Sequence, residues 1–480
     1  MANRPVVLIN SNRMKPAIAP LALDYVAGSL HRGGSEVRLI DLCFADDPSQ
    51  ALRQGLAGVE PLLIGVTFRN TDDCYYPSCA FFVPELSELV RQIRSLTGAP
   101  VALGGCGFSV FPAEIVSICK SDFGIIGDGE ETFLRLARAL SGNEDCQALP
   151  GLVWREADGR CVLNPPQPPA VLDVSPDRGL LDNARYFREG GQGNVETKRG
   201  CPMSCIYCAD PVAKGRQVRC RPPTPVADEV ESLLKQGVDV LHLCDGEFNI
   251  PHDHALEVCR EMIRRGLGQR VRWYVYCSPH PFSEELALAM KQAGCVGVNF
   301  GSDSGCDRML AALGRSYRRD AIRDAVRACK TAGITVMVDL LLGGPGEDEA
   351  SVRETIEFVR QLDPDRCGAA TGVRLYPGTP LADTIRRQGP LSANPNLRGC
   401  VEDNDSLLRP VFYFDRRLGD DPGSLVCDVI AGDERFFPPP RIKDATNYNY
   451  NDNRVLTDAI GRGMRGAYWD ILRRLAVKTN

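Results

Sequence analysis

The sequence predicts an α/β protein built from two parallel-sheet units in tandem, followed by a smaller mixed region. Three observations carry that expectation. Short apolar runs alternate with amphipathic stretches over residues 5–140, the rhythm of strands joined by crossover helices. The stretch Pro165-Pro166-Gln167-Pro168-Pro169 then interrupts the rhythm as a stiff linker. From residue 194 the alternation resumes and runs to about residue 376.

In the first unit Val6-Val7-Leu8-Ile9-Asn10 reads as a short buried strand. Leu23, Val26, Ala27 and Leu30 recur at i, i+3, i+4 and i+7 on one helix face, and Gly33-Gly34 ends that helix. Residues 37–41, 62–67, 101–103 and 124–127 supply four more strands, with helices expected over 85–96 and 131–140. A doubly wound sheet of this kind binds ligands at the carboxyl ends of its strands. Three loops stand there: residues 68–73 with Arg69 and Asn70, the run Gly104-Gly105-Cys106-Gly107-Phe108-Ser109, and Gly127-Asp128-Gly129-Glu130. Their glycines let backbone approach a large flat or phosphate-bearing ligand. Gly-rich loops also serve only to turn the chain.

Between the units, residues 151–154 and 161–163 flank Asp158-Gly159 and read as a small hairpin. In the second unit strands are expected at 194–199, 239–244, 271–277, 295–301, 334–342 and 369–376. Val226, Val230, Leu233 and Leu234 mark one intervening helix face. Ile322, Ala325, Val326 and Cys329 mark another, ended by Gly333. Beyond residue 395 the pattern is less regular. Pro438-Pro439-Pro440 breaks the chain, a polar–aromatic run over 446–453 contains Tyr448 and Tyr450, and residues 460–475 read as a terminal helix. The expected division is 1–145, a hairpin and linker over 146–190, then 191–394 and 395–480.

Composition narrows the function classes. Apolar content of 44% and charged content of 25% are ordinary for a globular protein. A net charge of −6 gives no electrostatic case for nucleic acid. No 18-residue apolar run and no signal-peptide core are present, so a cytosolic protein without a membrane span is expected. Twenty cysteines in such a chain read as reduced thiols and metal ligands.

Three of those cysteines carry chemistry. Cys201-Pro202-Met203-Ser204-Cys205-Ile206-Tyr207-Cys208 has the spacing C-x3-C-x2-C. Soft thiolates suit an iron–sulfur cluster. Three close ligands with no obvious fourth leave one iron of a [4Fe–4S] cluster open. The other reading is zinc or buried thiols, but zinc wants four clear protein ligands.

This run, with the aromatic Tyr207 before its third cysteine, closely resembles the signature of radical S-adenosylmethionine (SAM) enzymes. The resemblance implies that SAM chelates the open iron and that the second unit is a partial (β/α)6 barrel. Further landmarks follow in order. Asp245-Gly246-Glu247 stands where relatives hold the SAM amino group, so Glu247 or Asp245 would accept from the ammonium. Tyr276 and Ser278 end the third strand near the expected ribose. Ser302 and Asp303 lie in Gly301-Ser302-Asp303-Ser304-Gly305, where relatives carry Gly-Ile-Glu-Ser-Gly, so the acid is a methylene shorter. Gly344 and Pro345 belong to a turn that packs near adenine, and Tyr376-Pro377-Gly378-Thr379-Pro380 closes the sixth strand. His252 and His254 read as loop or cap residues, with acid/base groups as the other reading.

The first unit, over about residues 4–142, resembles the cobalamin-binding domain that precedes many radical-SAM modules. That resemblance makes Arg69, Asn70, Gly104, Gly105, Phe108, Ser109, Gly127, Gly129 and Glu130 candidate cobalamin contacts. Many such domains ligate cobalt through a D-x-H-x-x-G histidine. Here only His31, of five histidines, lies in the unit, and outside that motif. Arg69 is then the candidate for the cobalt's lower face, where a cation discourages ligation. Its other reading is a solvated loop residue.

Together the resemblances span residues 4–385 and imply a cobalamin-dependent radical-SAM methyltransferase, moving a methyl group from SAM via methylcobalamin to an unactivated carbon. The Arg-Asn-x-Asp-Asp stretch and the Gly-Gly-x-Gly-Phe-Ser loop are similar to a subgroup that includes a tryptophan C-methyltransferase. The implied substrate is a small molecule or amino-acid derivative, the implied partner an external electron donor. In relatives the C-terminal part caps the barrel, which makes Tyr448 and Tyr450 candidate substrate contacts beside Arg69. Two alternatives stay open: a cobalamin enzyme catalysing ring cyclisation, contraction or oxidation without methyl transfer, and a cluster-bearing sensor without catalysis.

Overall fold

The structure, a computed structural model, describes residues 4–156, 158–441 and 453–476. Strands β1 (Val6–Asn10), β2 (Val37–Asp41), β3 (Leu63–Thr67), β4 (Val101–Gly104) and β5 (Phe123–Ile125) form a parallel sheet in the order β2-β1-β3-β4-β5. β1 and β3 are buried at every position, which explains their unbroken apolar runs. The chain reverses direction across the sheet between β1 and β3, so a crevice opens at their carboxyl ends. The hairpin expected in the linker, β6 (Leu152–Arg155) and β7 (Cys161–Leu163), extends this first sheet with antiparallel strands. Short helices at Pro48–Leu56, Cys106–Val110 and Pro112–Cys119 had no clear periodic signal in the sequence. The second of them lies inside the Gly-Gly loop.

The second unit opens with β8 (Gly193–Val195). The strand expected over 194–199 stops there. Its last residues instead form β9 (Lys198–Arg199), which pairs antiparallel with β10 (Arg219–Cys220). β11 (Val240–Leu243), β12 (Arg272–Cys277), β13 (Cys295–Asp303), β14 (Thr335–Leu342) and β15 (Arg366–Thr371) follow, each pairing parallel with the one before it and β11 with β8. Sequential parallel order with helices outside is the architecture of a partial barrel. The strand expected over 369–376 starts earlier and breaks at Gly372, at φ +89°. A Cβ there would stand 2.3 Å from the Phe414 ring. The chain turns away into β16 (Val373–Arg374), which joins β17 (Leu397–Gly399) and β18 (Val411–Tyr413) in a small antiparallel sheet. β19 (Phe436–Phe437) returns to pair with β15.

The last helix, Tyr468–Ala476, docks on β12: Tyr274 donates to Asp470 at 2.7 Å and meets the Trp469 ring edge-on. No helix among the described residues is long and apolar enough to cross a membrane.

Candidate active site

The cysteine run is held by backbone from three directions. Cys201 N donates to Gly215 O at 3.1 Å, Ile206 N to Leu313 O at 3.1 Å, and Leu381 N to Ile206 O at 2.9 Å. Gly200 permits the tight entry. It sits at φ +88°, and a Cβ there would lie 2.1 Å from Gln217 O. Burial raises all three thiols, Cys205 to about 11, so each loses its proton on binding iron. Among the described residues no three Cys, His, Asp or Glu side chains converge on one ion. Ligands of separate irons in a cluster need not do so. Three thiols and an enclosed loop fit a cluster with one open iron.

Beside the loop, three side chains lock together. Tyr207 donates to Asp303 at 2.6 Å, while Arg315 donates to Asp303 at 2.6 Å and to the Tyr207 oxygen at 2.8 Å. Asp303, at φ +62°, is thereby engaged within the protein. Asp245 is engaged too: it accepts from Thr197 N at 2.7 Å, from Thr197 Oγ1 at 2.5 Å and from Lys198 N at 3.1 Å. Glu247 differs. One carboxylate oxygen is buried without a partner, and burial lifts its pKa to about 7 against the pull of Arg315 and Lys198. Gly246 beside it is exposed. Ser278 is buried and exchanges backbone hydrogen bonds with Asn249; the Ser302 hydroxyl is buried without a partner. Gly344 and Pro345 turn the chain after β14, with Gly344 against Leu313. His252 and His254 sit in the first turn of helix His252–Arg264, bonded to Ser283 and to Arg221 O, away from these groups.

Beside the expected Tyr276, the inner face of the second sheet carries His242, Asn299 and Asp339, which the sequence reading passed over. His242 on β11 meets the Tyr276 ring of β12 edge-on at 5.2 Å. Tyr276 neighbours Asn299 of β13 in register, and Asn299 Nδ2 donates to Asp339 of β14 at 2.7 Å. Asn299 Oδ1 and Asp339 Oδ1 are buried acceptors without partners. Burial lifts Asp339 to about 6 and depresses His242 to about 4. The signal was present for His242 and Asp339, each a polar residue set inside the apolar run of its strand.

This face and the carboxyl ends of the first sheet bound one cavity of about 500 Å³. From the first unit come Arg69, Gly104, Gly105, Cys106, Ser109, Gly127, Gly129 and Glu130; from the second, His242, Tyr276, Asn299 and Lys214. A Cβ on Gly104 would find nothing closer than 3.8 Å, so the loop presents bare backbone to open space. That cradle fits a large planar cofactor. Asn70 and Phe108 are not among the lining residues. Phe108 is fully buried, its ring filling the space above Gly124, where a Cβ would stand 2.1 Å away. Glu130 is bound by Arg199 at 2.8 Å. Tyr448 and Tyr450 lie outside the described residues.

Comparison with known proteins agrees with this geometry. The chain matches the Radical SAM superfamily over residues 195–359 and the B12 binding domain over residues 9–137. It is 32% identical to tryptophan 2-C-methyltransferase of Streptomyces laurentii, across 97% of this chain and 95% of that protein. The solved structure of the radical SAM methyltransferase TsrM from Kitasatospora setae with tryptophan and a SAM analogue superposes with a TM-score of 0.90, at 33% identity and 99% coverage of both chains. The same relative with cobalamin and a [4Fe–4S] cluster superposes with a TM-score of 0.89, at 31% identity and equal coverage.

Proposed function

Because this chain belongs to the cobalamin-dependent radical SAM methyltransferases, we propose that it methylates a carbon of tryptophan or a close indole derivative within the cavity between its two sheets. The observation that carries the reading is the shared wall of that cavity. Cobalamin-domain loops form one side, and the inner face of the SAM sheet forms the other. The cobalamin loops and the inner face of the SAM sheet would thus serve one substrate space. Bound cobalamin supplies a methyl carrier and the bound cluster a one-electron centre, reduced by an external donor.

The protein's own groups divide the remaining work. Cys201, Cys205 and Cys208 hold the cluster. The unpartnered oxygen of Glu247 accepts from the SAM ammonium, since Asp245 is occupied by Thr197 and Lys198. Asn299 and Asp339, bonded to each other and each left with an unpartnered oxygen, suit the two hydroxyls of a ribose. Arg315 and Asp303 fix the Tyr207 ring beside the cluster loop. Arg69 approaches cobalamin from the loop after β3 and offers no ligating lone pair. Tyr276 and the neutral His242 present an aromatic, uncharged wall to the indole.

The test is turnover of the reconstituted holoenzyme with methyl-labelled SAM and L-tryptophan. A product heavier by one labelled CH2 is expected. A tryptophan-derived product without that gain, or no turnover of any indole substrate, would overturn the reading.

A further inference from the structure

A line of buried charge runs from the cobalamin loops to the first cluster cysteine. Gly127 N donates to Ser109 Oγ at 3.0 Å, tying the two glycine loops together. On the same loop, Asp128 takes Arg219 at 2.9 Å and Arg199 at 3.4 Å, and Glu130 takes Arg199 at 2.8 Å. Arg199 also reaches Glu196 at 2.7 Å and lies 4.6 Å over the Tyr25 ring of the first unit. Three carboxylates and a ring thus fix a guanidinium that is 9% exposed. Arg199 and Arg219 face each other in the β9–β10 pair.

Two residues beyond Arg199 is Cys201, a cluster ligand. The intervening Gly200 has no slack, pressed against Gln217 O, and Cys201 N is pinned to Gly215 O. A shift of the cobalamin loop is therefore carried into the position of a cluster ligand, and the reverse. Arg178 ties the same two units through Asp24 at 3.2 Å, but it bonds Asn194 and Glu229 rather than the cluster loop.

We propose that Arg199 is a positioning residue that makes occupancy of the cobalamin cavity and of the cluster site mutually dependent. The dependence is reciprocal by thermodynamic necessity: cluster must tighten cobalamin by the factor that cobalamin tightens cluster. The proposal holds whichever substrate is methylated.

The test uses the full chain, with and without reconstituted cluster, and hydroxocobalamin as probe. Cluster is expected to tighten hydroxocobalamin binding about tenfold. Hydroxocobalamin should raise the retention of iron against a chelator, at equilibrium, by the same factor. In Arg199→Gln both factors fall to about one, while Asp24→Ala, which removes the side chain that Arg178 bonds in the seam off this line, keeps them. Should Arg199→Gln fail to fold, Glu130→Gln makes the same prediction from the cobalamin side. A wild-type factor of one, a factor that survives Arg199→Gln or Glu130→Gln, or an equal loss in Asp24→Ala would each overturn the proposal. The last would mean that any seam contact suffices.

Discussion

Asp339 carries a conflict between binding and folding. Its carboxylate faces the interior of the second sheet, with one oxygen on Asn299 and the other unpartnered. Burial raises its pKa from 3.8 to about 6. A carboxyl whose folded pKa is raised weakens the fold as pH climbs from the unfolded value to the folded one, because the unfolded chain releases the proton first. The penalty is absent below about pH 4 and complete above about pH 6, amounting to about 2–3 kcal/mol. Asp339→Asn should therefore make the cofactor-free protein more stable at pH 7, with no gain at pH 4, in urea unfolding across pH. The same variant should bind SAM about tenfold more weakly, for loss of an ionised acceptor. Equal destabilisation at both pH values would contradict this account. The residue was legible in principle as one acid inside the apolar run of β14. Its partner Asn299 lies 40 positions away in the chain, and no local pattern joins them.

At the scale of elements, the loop after β3 shows how the small C-terminal sheet serves the cavity. Asp72, three positions beyond Arg69, is fully buried and bonded to Arg374 of β16 at 2.9 Å. Tyr76 of the same loop packs edge-on against Phe412 and Phe414, and Tyr376 donates to Cys74 at 3.5 Å. The cap thus holds the loop that presents Arg69. Removing one partner of a buried pair leaves a charge uncompensated, at a cost of about 3–5 kcal/mol, while removing both costs less. Arg374→Met should lower the thermal midpoint strongly, and Asp72→Asn in the same chain should recover part of the loss. If the two losses simply add, the pair is not coupled as described. The sequence showed both segments, but it read 369–376 as one strand. Gly372, which ends β15 there, is forced by Phe414, forty-two positions on, so the break was invisible locally.

For the whole molecule, the cysteine run and the two sheet rhythms were legible because each is written in consecutive residues. The seam between the units was not. Arg178 meets Asp24 across 154 positions and Glu229 across 51, and Arg221 completes the group by bonding Glu229 at 2.6 Å. All four side chains are almost fully buried. A seam built from paired charges gains little net stability over an apolar one, yet it tolerates no missing member. Burial also lifts Asp24 to about 8 against the pull of Arg178, which gives its shorter bonds to Glu229. Losing Arg178 therefore strands chiefly Glu229, left with Arg221 alone. Arg178→Met should weaken docking of the two units by about 3 kcal/mol while leaving the separate cores, which share no part of this group, intact. Urea unfolding of the variant should then split into two steps where the wild type shows one. The first step should open the linker over residues 165–175 to protease, before far-UV circular dichroism changes. A single transition in the variant would mean that the units fold as one cooperative core, with the charged seam incidental to their union.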